Sequence, residues 1–259
     1  MNAELLELAV EAARHAGDLL LERFGEPARG VDTKSTATDP VSDADRDAEA
    51  LILGIVQEAR PDDGVLAEEG SDRPSRTGLR WVIDPLDGTV NFLFGIPQWA
   101  VSVAVEDADG PVAGVVHDPC RDETFTAAHG TGAHLNGTRL DASSVTDLSK
   151  ALIGTGFSYD PGVRRAQVDV LHRVIGRVRD VRRAGSAALD LAWTACGRLD
   201  GFYEAGLGPW DMSAGSLLVT ESGGRTGPLP APIEGRDGLI AAGPGIYDDL
   251  VGVLDAAIA

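Results

Sequence analysis

The chain has 259 residues, 43% of them hydrophobic, and carries 22 basic against 41 acidic side chains, a net charge of −19. That length supports a substantial core, as one large domain or two packed lobes, and so acidic a surface repels nucleic acid and anionic membranes. The two cysteines, Cys120 and Cys196, lack C-x-x-C spacing and the five histidines form no His-x₃-His pair, which argues against a disulfide framework and a zinc site. The N-terminus is acidic and amphipathic, unlike a signal peptide, and no run of about 18 apolar residues occurs. The expectation is a cytoplasmic protein without a membrane anchor.

Residues 3–23 place Leu5, Leu8, Ala9, Ala12, Ala13, Ala16, Leu19 and Leu20 at helical spacing, with Gly25 and Pro27 ending the helix. The polar stretch from Lys34 to Ser42, which contains Asp39, reads as a loop. Asp43 opens a second helix that buries Ala44, Ala48, Leu51, Ile52, Ile55 and Val56 and ends at Arg60-Pro61. Asp43 and Asp45 suit the helix N-terminus equally well, which leaves one of them free for other work. The apolar run from Val65 ends in Glu68-Glu69-Gly70. Neighbouring side chains on an extended strand point to opposite faces, so only one of the two glutamates can face a site.

The segment from Trp81 to Phe92 organises the rest. Leu79 to Ile83 reads as a buried strand that stops at Asp84, holding Asp84 and Asp87 on a tight turn about Pro85. Acids this close repel each other unless a cation lies between them. Oxygen ligands alone suit Mg²⁺, Mn²⁺ or Ca²⁺. The backbone N–H groups of Gly88 and Thr89 can then face an anion. Taken by itself the motif is also compatible with a capped turn; with partners elsewhere it reads as metal-assisted phosphate chemistry.

Strands are predicted at Trp99 to Val105, Val112 to His117 and Glu123 to Ala128, with a hairpin turn at His134 to Thr138. The pattern changes near residue 148. From there strands at Ala151 to Phe157, Asp180 to Arg183, Leu199 to Glu204 and Leu239 to Ala242 alternate with helices at Val163 to Val178, Ser186 to Cys196, Asp211 to Glu221 and 246–258. This predicts an α+β half over 1–148, carrying most of the candidate metal ligands, and an α/β half over 149–259. Two stretches of the second half offer chemistry. Arg183 to Ala188 is a strand end followed by a serine-started helix, where Ser186 suits an N-cap and free amides can take substrate oxygens. Glu204 precedes Gly206, Gly208, Pro209, Trp210 and Asp211, with Asp211 read as a second N-cap.

Four blocks together resemble the inositol monophosphatase family of Mg²⁺-dependent, lithium-sensitive phosphatases: Asp39 to Asp45, Leu66 to Gly70, Trp81 to Phe92 and Trp210 to Gly215, supported by Arg183 to Ala188 and Tyr203-Glu204. The similarity runs from about residue 5 to the C-terminus, in the family's order. It implies a mixed α/β fold, the αβαβα layered sandwich of the sugar-phosphatase type, within a homodimer. By this resemblance Glu68, Asp84 and the Leu86 carbonyl ligate one metal, and Asp84, Asp87 and Asp211 a second. Glu68 borders a third, weaker position, so two to three Mg²⁺ ions are implied, with Mn²⁺ or Ca²⁺ as substitutes. Thr89 with Asp45 orients and deprotonates the attacking water, and Gly88 and Thr89 hold the phosphate. Asp87, Gly185, Ser186, Ala187, Glu204 and Asp211 contact the alcohol.

The implied reaction is hydrolysis of myo-inositol 1-phosphate, a small phosphomonoester, by direct attack of an activated water. No Ser or Cys nucleophile motif competes with that reading. Val90-Asn91-Phe92 after Gly88-Thr89 resembles the inositol type, whereas histidinol-phosphatase relatives often carry a Lys-Ser-Phe-like tail. Alternatives on the same scaffold are histidinol-phosphate, fructose-1,6-bisphosphate and 3′-phosphoadenosine phosphatases. A different class of function is a non-catalytic regulatory protein; the presence of Glu68, Asp84, Asp87 and Asp211 argues against it. Ser213 departs from the alanine common at its position.

Overall fold

The computed structural model describes residues 2–26, 30–33 and 40–258. The expected loop residues Lys34 and Asp39, and the helix-ending Pro27, lie outside the described residues. Helix α1 spans Asn2–Arg23. A two-stranded antiparallel ribbon, β1 (Asp32–Thr33) and β2 (Pro40–Val41), leads into α2 (Asp43–Ala59). Next come β3 (Gly64–Ala67), β4 (Asp72–Arg73), β5 (Arg80–Asp87), the short α3 (Thr89–Leu93), β6 (Ala100–Asp107), β7 (Gly110–Asp118), β8 (Glu123–Ala128), β9 (Gly132–Leu135) and β10 (Thr138–Arg139). After a 3₁₀ turn at Leu148–Lys150 follow β11 (Leu152–Thr155), α4 (Pro161–Val174), β12 (Asp180–Arg182), α5 (Ala187–Ala195), β13 (Gly201–Ala205), α6 (Pro209–Glu221), β14 (Arg225–Pro228), β15 (Gly238–Ala242) and α7 (Tyr247–Ile258).

Strands β10-β9-β8-β7-β6-β5-β3-β4 form one sheet, antiparallel except for the β3–β5 pair. A second mixed sheet runs β12-β11-β13-β15-β14, parallel between β11 and its two neighbours and antiparallel beyond. The layers stack as αβαβα. Helices α1 and α2 cover one face of the first sheet through Trp81, Ile83, Val101, Val103 and Val115. Helices α5 and α6 lie between the sheets, packed on Val82, Ala104, Val116 and Phe125 on one side and on Phe202 and Ala241 on the other. Helices α4 and α7 cover the outer face of the second sheet through Val170, Val174, Leu250 and Leu254. Strand β5 therefore buries both faces, which is why its sequence reads as a continuous apolar run rather than an alternation.

Several boundaries differ from the sequence reading. β5 does not stop at Asp84; it runs through Asp87, and its pairing with β6 shifts between Asp84↔Ser102 and Asp87↔Ala100. Three steps on β5 match two on β6, so one extra residue bulges there, next to Pro85, which has no N–H for the ladder. Residues three apart on a regular strand face opposite ways; the bulge turns Asp84 and Asp87 to the same side. Helix α2 opens at Asp43 as expected and is capped by Ser42, with Asp45 at its third position. Asp211 is no N-cap but the third residue of α6, whose cap is Gly208. Strand β14, rich in Gly and Pro, and the one-turn α3 carry too little periodicity to be foreseen.

Candidate active site

The carboxylates of the bulged strand meet one from α6. Asp84, Asp87 and Asp211 each present an oxygen within 4.8 Å of the others. Asp84 is 1% and Asp87 9% exposed. They line a cleft of about 440 Å³ together with Glu68, Leu86, Gly88, Thr89, Gly185, Ser186, Ala187 and Glu204. Glu68, placed just past β3 by its amide bond to the Ile83 carbonyl at 3.1 Å, adjoins the triad: its carboxyl group hydrogen-bonds that of Asp84 and its field acts on all three acids.

Each carboxylate of the triad is tied to backbone. Asp84 Oδ1 accepts the Leu86 N–H at 3.0 Å. Asp211 Oδ2 accepts the Gly208 N–H at 2.6 Å, the side-chain half of a capping box. Asp87 Oδ2 accepts from Ser186 Oγ at 2.6 Å and from the Ala188 N–H at 2.7 Å, which pins the end of β5 to the start of α5. Ser186 also caps α5 by accepting the Leu189 N–H. Helix α6 is seated by Ser213, whose Oγ donates to Glu106 Oε1 at 2.8 Å, so the departure from alanine gains a cross-layer bond.

Asp45 resolves the ambiguity with Asp43. Asp43 faces solvent and pairs with Arg46 at 2.8 Å. Asp45 is fully buried: its Oδ2 accepts from Ser42 N–H at 2.9 Å and Ser42 Oγ at 2.6 Å, and its Oδ1 accepts from Thr89 Oγ1 at 2.9 Å. Thr89 Oγ1 lies 3.1 Å from the Leu86 carbonyl as well, so one hydroxyl proton sits between two acceptors. Asp45 does not line the cleft itself; Thr89, which does, links it there. Gly88, with φ of 100°, makes the sharp turn into α3; a Cβ there would meet the Gln98 carbonyl at 2.9 Å.

Two supporting residues escaped the sequence reading. Glu49 on α2 accepts the Glu69 N–H at 2.9 Å and the Ser71 hydroxyl at 2.6 Å, holding the turn that carries Glu68. A charged residue one turn after Asp45 on the apolar face was the available signal. Asn91 donates to the carbonyls of Gln98 at 2.6 Å and Ala184 at 2.9 Å. The Val90-Asn91-Phe92 tail thus bears on the cleft through the loop before Gly185 rather than by facing it.

Electrostatics show what the triad fits. Burial pushes the Asp84 carboxyl far above the usual carboxylate range, and Glu68, Asp87 and Asp211 push it further. Asp211 is raised by burial and then by Asp87 and Glu68. Asp87 is pushed up to about 6 by burial, against the donors Ser186 and Ala188. Clustered, dehydrated, all-oxygen donors fit a hard divalent cation, whose charge removes this penalty. Neither cysteine lines this cleft: both are free thiols, and burial pushes that of Cys120 up to about 11.

The whole chain can be set beside known proteins. The model of the inositol monophosphatase family matches residues 1–241. The chain belongs to this family. It is 43% identical over 263 residues to the inositol-1-monophosphatase SuhB of Mycobacterium tuberculosis, covering 95% of this chain and 90% of that one. It is 41% identical over 222 residues to the Nus factor SuhB of Escherichia coli, covering 85% and 83%. The crystal structure of the extragenic suppressor protein suhB of Bartonella henselae superposes with a TM-score of 0.90 at 39% identity, covering 97% of this chain and 98% of that one. Family membership supports a metal-dependent phosphatase. Among the described residues no helix is long and apolar enough to cross a membrane.

Proposed function

We propose that the chain is a Mg²⁺-dependent phosphomonoesterase that hydrolyses myo-inositol 1-phosphate to inositol and phosphate by direct attack of water. The observation that carries this reading is the Thr89–Asp45 hydrogen bond of 2.9 Å beside the Asp84, Asp87 and Asp211 triad: a proton acceptor behind, and three clustered carboxylates lining, one cleft. Two to three divalent cations held by Glu68, Asp84, Asp87, Asp211 and the Leu86 carbonyl would supply Lewis acidity toward the phosphate and the attacking water.

The chain's own groups do the rest. Thr89 Oγ1, its proton directed at Asp45 Oδ1, keeps a lone pair for a proton of the incoming water and passes a proton to Asp45. The amides of Gly88 and Thr89 at the start of α3 hold phosphate oxygens. Glu204 with Gly185, Ser186, Ala187, Asp87 and Asp211 forms the alcohol side. Division at residue 148 into a metal-carrying half and a substrate half, a homodimer, inhibition by lithium and a cytoplasmic location belong to the same proposal.

Phosphate release from inositol 1-phosphate and histidinol phosphate, with Mg²⁺ and with EDTA, tests it. Higher kcat/KM on the inositol ester and loss of turnover in EDTA are expected. The opposite ranking overturns the substrate and keeps the chemistry. A second reading, a regulatory role with or without turnover, is favoured by the Nus factor name of relatives at 41% identity. The complete carboxylate set speaks for turnover, and absence of release from any small phosphomonoester would favour the regulatory role.

A further inference from the structure

The buried stripe of α4 is Val163, Gln167, Val170 and Val174, at the spacing that packs a helix on a sheet. Gln167, 4% exposed, is the polar member, at a position where an apolar side chain would serve the packing. A buried amide is costly unless both its ends are hydrogen-bonded. Both ends of this one are: Oε1 accepts the Ser158 N–H at 2.7 Å, and Nε2 donates to the Ala205 carbonyl at 3.1 Å. Since a backbone N–H only donates and a carbonyl only accepts, these partners require a side chain that does one of each from separate atoms.

Ser158 and Ala205 lie on two different walls-in-the-making of the cleft, and both line it; Gln167 does not. Ser158 follows β11 and Ala205 ends β13, two adjacent parallel strands whose register runs out at Thr155↔Tyr203. Ligands bind beyond the carboxyl ends of such strands, where the ladder no longer fixes the spacing of the two chains. Here the Gln167 side chain bridges them instead. The backbone it grips is held from its other ends too. The Ser158 carbonyl accepts from Arg164 Nε at 2.9 Å, one turn before Gln167 on α4. The Gly206 N–H, in the same peptide group as the Ala205 carbonyl, donates to the Asp237 carbonyl at 2.7 Å.

We propose that Gln167 is a positioning residue for the reaction: from behind the cleft it sets the spacing between the Ser158 loop and the Ala205–Gly206 turn, and so the shape of the wall that the ester meets. A wall fixed before binding leaves less to be ordered on binding. The metal-ligating carboxylates and the Gly88 and Thr89 amides belong to other elements, β5, α3 and α6, to which Gln167 makes no hydrogen bond. Loss of the bridge should therefore weaken binding of the whole ester and spare binding of free phosphate.

The inference rests on the phosphatase reading, and the experiment separates the two. With Mg²⁺ present, KM and kcat on the small phosphomonoester that wild type hydrolyses fastest, and inhibition by inorganic phosphate, are measured for wild type, Gln167→Met, Gln167→Asn and Val170→Ala. Methionine keeps the length and loses both bonds; asparagine keeps the amide but is too short to span both partners, and it carries the test where Gln167→Met fails to fold. Val170→Ala loosens the same buried stripe of α4 without touching either loop, so with Tm it controls for lost stability. Gln167→Met is expected to raise KM about tenfold and Gln167→Asn about threefold, with kcat falling less than about threefold and the phosphate inhibition constant within about twofold of wild type. The Ser158 amide should exchange with solvent faster in both Gln167 variants than in Val170→Ala. KM unchanged in the Gln167 variants, an inhibition constant that rises in step with KM, or a Val170→Ala variant that raises KM as far, overturns the positioning role and leaves the phosphatase reading intact. Wild type that releases phosphate from no small phosphomonoester overturns both.

Discussion

Ser186 Oγ donates to Asp87 Oδ2 at 2.6 Å although 99 positions separate them in the chain. The bond joins the bulged end of β5 to the start of α5, so a candidate metal ligand and the proposed alcohol side share one hydrogen bond. Together with the Ala188 N–H it opposes the burial that pushes Asp87 up to about 6. Ser186→Ala removes that donor and a helix cap, and should destabilise the fold by about 1 kcal/mol. Asp87 then ionises at higher pH, and the Mg²⁺ concentration for half-maximal phosphate release should rise about tenfold at pH 6.5 and less at pH 8.5. Mg²⁺ titrations of activity at both pH values check this; an unchanged half-saturation point at pH 6.5 would remove Ser186 from the site.

Asp45 and Asp43 form a matched pair for mutation, two residues apart on the same helix turn. Asp45→Asn keeps an oxygen for Thr89 but turns an N–H₂ toward the Ser42 N–H, or the reverse, because Asp45 accepts on both sides. It should cost about 1–2 kcal/mol of stability and lower kcat at least about a hundredfold, the typical share of general acid–base catalysis. Asp43→Asn loses only an exposed pair with Arg46 and should stay within about 0.5 kcal/mol of wild type. Chemical denaturation and steady-state kinetics on both variants decide the matter; comparable kcat values for the two would remove Asp45 from the proton path.

Asp84 and Asp87 stood out in the sequence because two acids on a proline turn are a local feature, whereas Glu68, Asp211 and the Thr89–Asp45 pair were singled out by the resemblance of their blocks to the family. The layers were legible from local features too, through helical spacing in α1 and α2 and the strand–helix alternation after residue 148. What lay beyond reach was relational. Nothing in Trp81 to Asp87 announces that an extra residue on β5 opposite Val101 brings two acids to one face. Helix-end physics alone could not separate Asp45 from Asp43; the resemblance pointed to Asp45, and in the structure Thr89, 44 positions away, makes the choice. Asn91 carries a polar side chain whose use depends on where Gln98 and Ala184 end up.

Mutual repulsion in the triad gives metal removal a signature in stability. Without a divalent ion, burying Asp84, Asp87 and Asp211 together is unfavourable. Mg²⁺ at about 100 times its Kd should therefore stabilise wild type by about 2.7 kcal/mol, roughly 5–10 °C in Tm for a chain of this size. Asp84→Asn removes one charge from the cluster. It should melt above wild type in EDTA and yet gain little from Mg²⁺. Thermal melts of both proteins in EDTA and in Mg²⁺ test the crossing of the two orders; an Asp84→Asn variant that melts below wild type in EDTA would show that the triad is not strained.

Asp63 supplies a pH dependence far from the cleft. It is 1% exposed and accepts from Arg60 Nε at 2.8 Å, Thr77 Oγ1 at 2.6 Å and Trp81 Nε1 at 3.1 Å, tying the end of α2 to the start of β5. Burial alone would raise its pKa, but the hydrogen bonds from Arg60, Thr77 and Trp81 outweigh it and hold the carboxyl below its ordinary value of 3.8. A carboxylate with a depressed folded-state pKa stabilises fully above its unfolded pKa, and that contribution is lost as pH falls through the folded value. Asp63→Asn should therefore cost about 2 kcal/mol at pH 7, and the gap to wild type should narrow only below about pH 4. Urea unfolding of both proteins at steps from pH 7 to pH 3.5 measures it. A gap that stays constant over that range would mean that the charge on Asp63 contributes nothing and that the cost comes from the lost acceptor geometry alone.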